Sequence, residues 1–132
     1  MEKIQFDAGL RSYRLGGGIL RLNPADPNLY ARFLESVDKL KAVEQELLAQ
    51  TEEETPDSAQ LLALLTRADG EMKTILNWVF GADNDFHRIL EGINLLAVAE
   101  NGEQVVTNLF AALEPVLTEG AKCCAARIKA GR

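Results

Sequence analysis

At 132 residues the chain has the length of a single domain, 1–132, with enough mass to bury a core without disulfides or a metal. Apolar residues make up 47% and charged residues 26%, which excludes a disordered chain. A formal net charge of -6 argues against nucleic acid as a partner, and no run approaches the roughly 18 apolar residues of a membrane span.

The first seven residues lack an apolar core of the kind a secretory signal needs, so no leader is expected. Cys123 and Cys124 are adjacent, a poor arrangement for a mutual disulfide. They read as small filler in a reduced, cytoplasmic protein.

Residues 3–7 alternate, with Ile4 and Phe6 on one side and Gln5 and Asp7 on the other, which predicts a strand. Residues 12–15 and 19–22 predict further short strands, joined by the turn Gly16-Gly17-Gly18. Two or three strands make a β-hairpin arm over 1–22 that has to pack on helices or on another subunit. The glycine run lacks the Gly-Lys-Ser/Thr ending of a phosphate loop.

Asn23-Pro24-Ala25-Asp26-Pro27 offers two caps and two helix-starting prolines. From Pro27 a helix is predicted to about residue 50, with Leu29, Phe33, Val37, Leu40, Val43 and Leu47 in one narrow stripe. Such a stripe suits a seam with one neighbour, so these six side chains are candidate partner contacts. Glu35 and Lys39 are spaced for an ion pair. The acidic run 51–54 reads as a solvated link.

Thr55 and Pro56 then predict the start of the next helix, with Asp57 at its positive end. Over 61–80 its stripe is Leu61, Leu65, Ala68, Met72, Ile75 and Val79, widened by Leu62, Leu76 and Phe80. This regular helix is expected to be the inner one. Gly70 suggests a bend or close crossing. Trp78 lies at the edge of the stripe, as core packing or as a partner anchor, and Gly81 is expected as a left-handed cap.

A short helix over 84–91 is predicted next, capped by Asp83 or Asn84 and stopped by Gly92. Asp83, Asp85 and His87 do not share a helical face, so no metal site or cofactor is expected there. With one histidine and no paired carboxylates on an apolar stripe, the residues give an acid/base or nucleophilic site no support, and no catalytic role is assigned. Residues 93–99 read as a buried turn or extended link. The last helix starts near residue 103 and carries Val105, Val106, Leu109, Phe110, Leu113, Val116 and Leu117. Pro115 should kink it or end it near residue 114, and Gly120 should loosen it. The cations Lys122, Arg127, Lys129 and Arg132 read as a solvated helix end.

The expected architecture is therefore α+β, mainly α: an N-terminal β-hairpin arm (1–22), then a bundle of three longer helices and one short helix (23–132). The order of elements resembles a known family. The strand Lys-Ile-Gln-Phe leads to Leu22-Asn23-Pro24-Ala25-Asp26-Pro27-Asn28-Leu29-Tyr30-Ala31-Arg32-Phe33. A long charged helix, an acidic break, a helix ending Trp78-Val79-Phe80-Gly81, a short capped element and a C-terminal helix follow. This layout is similar to small tail-region proteins of siphophages and prophages of Gram-positive hosts, the tail assembly chaperones or related tail components.

The resemblance implies a non-enzymatic adaptor that binds tape-measure or tail-tube proteins and self-associates as a homo-oligomer. It transfers no site residues. The alternative is a bacterial interaction module outside phage tails, a small secretion-type chaperone or regulatory dimer.

Overall fold

A computed structural model describes residues 1–53 and 57–131. A two-stranded antiparallel hairpin precedes four helices, three of them long. The strands are β1 (Arg11–Leu15) and β2 (Gly18–Leu22), and the helices are α1 (Pro27–Glu53), α2 (Ser58–Phe80), α3 (Phe86–Ile89) and α4 (Val105–Ala130).

The hairpin closes at Leu15↔Gly18 and runs to Arg11↔Leu22. Gly16, at φ 59°, supplies the positive φ that a two-residue hairpin turn requires. Tyr13, Leu15, Leu20 and Leu22 face the helices, and Ser12, Arg14, Ile19 and Arg21 face out. β2 lies on α3 so closely that a Cβ on Gly18 would meet the Ile89 backbone at 2.6 Å.

The predicted strand over 3–7 does not form. Residues 1–10 take no regular structure, and Ile4 and Phe6 stay 90% and 82% exposed. Gly9, at φ 74°, turns the chain, and the Asn23 side chain donates to the Ala8 carbonyl at 2.9 Å. The segment is thereby held off the hairpin edge it would need to join.

α1 runs on through part of the predicted acidic link, to Glu53. It is α1, not α2, that packs against both other long helices. Phe33 and Phe110 stack at 4.9 Å to join α1 to α4. The Arg32 Nε donates to the Val79 carbonyl at 2.9 Å, capping the end of α2. The predicted start at Thr55 and Pro56 lies outside the described residues. The cap is Asp57, which forms a capping box with Gln60, satisfying two otherwise orphaned groups.

Only the later turns of α2 are fully buried. Met72, Leu76 and Val79 are in the core, whereas Leu61 and Leu62 are exposed. Nothing lies within 4 Å of a Cβ on Gly70, so no close crossing occurs there. Gly81 does cap the helix, donating to the Asn77 carbonyl. Its φ of 97° is positive, as glycine permits, but its ψ of 157° lies outside the left-handed helical region.

A second, polar row on α2 (Asp69, Lys73 and Asn77, one turn apart) faces the segment 84–96. The Asp69 carboxylate accepts from the Leu95 amide at 2.8 Å and from Lys73 at 2.9 Å. The Asn77 side chain accepts from the Phe86 amide at 2.8 Å. Lys73 is 2% exposed, so its ion pair with Asp69 is a buried one in which losing either partner strands a charge. Leu95 and Leu96 close the core from this side.

α3 is shorter than predicted. Asp85 caps it, because Asn84 is committed elsewhere. Buried Asn84 accepts from the Arg21 amide at 2.9 Å and donates to the Arg21 and Phe80 carbonyls, both at 2.8 Å.

α4 passes through Pro115 without ending. Pro115 and Ala111, whose carbonyl loses its helical partner, are both exposed, so water can take that bond. Gly120 does not loosen the helix; it lets it dock. A Cβ there would run into the Pro24 carbonyl. Past Gly120 most side chains of α4 face solvent.

Candidate interaction surfaces

The α1 stripe is largely spent on the chain's own core. Leu29, Phe33 and Leu40 are buried, Val43 and Leu47 pack against the same cluster, and Val37 is half-covered. The seam is filled intramolecularly along most of its length.

Three surfaces stand out among the described residues. The first is an open groove of about 270 Å³ between α1 and the start of α4, lined by Val37, Leu40, Lys41, Glu44, Val106, Thr107 and Phe110. α4 begins opposite Leu40, so the later turns of α1 have no α4 beside them. Leu34 and Leu48, both exposed, continue the Val37 and Lys41 row at helical spacing. Leu61 and Leu62 are bare on α2.

The second is Trp78. It is 43% exposed rather than buried, and the Lys39 ammonium sits 4.9 Å from its ring centroid. That contact takes the place of the predicted Glu35–Lys39 ion pair, which does not form; the ion pairs among the described residues are Arg67–Glu71 and Asp69–Lys73. A cation over an exposed indole contributes about 0.5–1 kcal/mol.

The third is the hairpin. Arg11, Arg14 and Arg21 give it three positive charges and no acid within an acidic chain. Its two edges differ. Arg21 turns its N–H and C=O to Asn84, whose side-chain amide stands in for a neighbouring strand and closes the β2 edge. Ser12 pairs with Arg21 across the hairpin, so Ser12, and Arg14 two residues on, turn their backbone groups the other way. β1 has a strand neighbour on one side only. Beneath it lies an apolar cleft of about 180 Å³, lined by Tyr13, Leu15, Leu20, Leu113, Val116 and Leu117 among others. The exposed segment 3–10 lies nearer Arg21 and forms a shallow concavity with it.

His87 faces solvent, and Asp85 is used in capping its amide at 3.1 Å. No cluster of three or more metal-ligating side chains occurs among the described residues. Among them no helix is long and apolar enough to cross a membrane.

Comparison with protein-family models, with curated proteins and with solved structures returns no match.

Asn84 and the Asp69–Lys73–Asn77 row escape a reading based on apolar periodicity. The row's signal was Asp69, Lys73 and Asn77, a polar residue at every fourth position along one face of α2.

Proposed function

We propose that the chain is a non-enzymatic adaptor of the phage tail assembly chaperone kind, acting in the cytoplasm of a bacterial host. It would hold tape-measure or tail-tube chains through its helical surfaces. The observation that carries this reading is the apolar groove between α1 and α4, whose α1 row is extended by exposed Leu34 on one side and, beyond the start of α4, by exposed Leu48 on the other. An amphipathic helix with anchors at i, i+3 and i+7 fits such a row. Lys41 and Glu44 at its rim offer register-setting polar contacts, and an acidic exterior favours solubility of the loaded complex.

The test is calorimetric titration with helical fragments of tape-measure and tail-tube proteins from siphophages of Gram-positive hosts. The reading expects saturable binding to at least one, weakened about tenfold or more, roughly 1.4 kcal/mol, by Val37→Glu or Leu48→Glu. Absence of binding by every fragment, or binding unaffected by both substitutions, overturns it.

A further inference from the structure

We propose that two copies of this chain exchange their N-terminal segments: residues 3–7 of each add as a third, antiparallel strand to the β1 edge of the other. Three features of one chain are complementary. The β1 edge is open, whereas on the β2 edge Asn84 takes both backbone groups of Arg21. Residues 3–7 alternate as a strand does, with Ile4 and Phe6 almost fully in solvent. The apolar cleft under Tyr13 and Leu15 lies on the face that such a strand would extend.

The pattern fixes the register. Ile4 and Phe6 must share the inner face with Leu15 and Tyr13, and a slip of one residue would turn both to solvent. Pairing Ile4 with Leu15 and Phe6 with Tyr13 sets Gln5 opposite Arg14 and Asp7 opposite Ser12, diagonal to Arg14. Slipping two residues toward the N-terminus of β1 sets Lys3 opposite Arg14, and like charges directly opposite destabilise a pair. The chosen register thus brings an acid to the basic edge and avoids the clash.

The occupant is a second copy rather than the same chain. Ala8 is tied to Asn23, at the end of β2, and the segment continues on the Arg21 side. Reaching its own β1 edge would require breaking that bond and reversing over 8–11. Reciprocal exchange gives a closed, isologous dimer in which both β1 edges are covered. This inference does not depend on which protein the α1–α4 groove receives.

The test uses the full chain with Cys123→Ser and Cys124→Ser. Sedimentation equilibrium at about 100 μM, where a Kd of about 1 μM leaves the dimer dominant, should return twice the 14.5 kDa chain mass. Deleting residues 2–7 should return one. Ser12→Pro removes an amide that points away from β2, so it should weaken the dimer about tenfold or more while leaving the unfolding midpoint of the dilute monomer unchanged. Mixing Gln5→Cys chains with Arg14→Cys chains should give a cross-linked pair under mild oxidation; mixing Ile4→Cys with Arg14→Cys, on opposite faces, should not. A monomer at that concentration, a dimer that survives the deletion, or a Gln5→Cys/Arg14→Cys chain that closes on itself at high dilution overturns the proposal.

Discussion

The α1 stripe and the N-terminal segment are both apolar and both periodic, yet they meet opposite fates. Leu29, Phe33 and Leu40 disappear into the core because α1 has a helix on each side to receive them. Ile4 and Phe6 remain bare because no neighbour in the chain receives them: Asn84 occupies the β2 edge at Arg21, and Asn23 holds the segment away from the open β1 edge. Periodicity states that a face needs a partner. Whether the partner lies in the same chain depends on which polar side chains have taken the available backbone groups.

Substitutions can break or sharpen that contrast. Phe33→Ala should cost about 3–5 kcal/mol of unfolding free energy in urea denaturation, as a large core truncation with a stacked partner does. Gly120→Ala forces the Cβ onto a backbone carbonyl and should cost about 2–4 kcal/mol, the range of strained and overpacked sites. Asn84→Ala removes three hydrogen bonds and leaves buried groups unpaired, at about 2–3 kcal/mol. It should also open the second hairpin edge, seen as faster hydrogen exchange at the Arg21 amide. Gly70→Ala, in open space within a helix, should raise stability by about 1 kcal/mol. Phe6→Ser, assayed in dilute monomer, should change stability by less than about 0.5 kcal/mol; a larger loss would mean that the segment contributes to the fold of its own chain.

The helices and the hairpin were legible because their signals are local. Spacing marks α1, α2 and α4, and the glycine run marks the turn. Which helix sits in the middle was not legible: the narrow stripe of α1 suggested one neighbour and the regular stripe of α2 suggested the inner position, yet it is α1 that packs on both α2 and α4. Pro115 misled for a related reason: its cost depends on whether the Ala111 carbonyl can reach water, and both residues happen to face out. Trp78 was ambiguous between core and surface, and it lies at the surface beside Lys39, far away in sequence but adjacent across α1 and α2. The candidate surfaces were the least legible part. The stripe residues that seemed suited to a partner are mostly spent internally, and the open groove depends on where α4 begins.

The Lys39–Trp78 contact has a practical consequence. Trp78 is the sole tryptophan, it straddles the junction of α1 and α2, and it is half in water. Its emission therefore reports on that junction alone: separation of the two helices would shift the spectrum to the red and raise acrylamide quenching, whereas a protein laid over the indole would do the reverse. The molecule carries its own optical gauge of whether a bound partner closes over the helical pair or pries it apart.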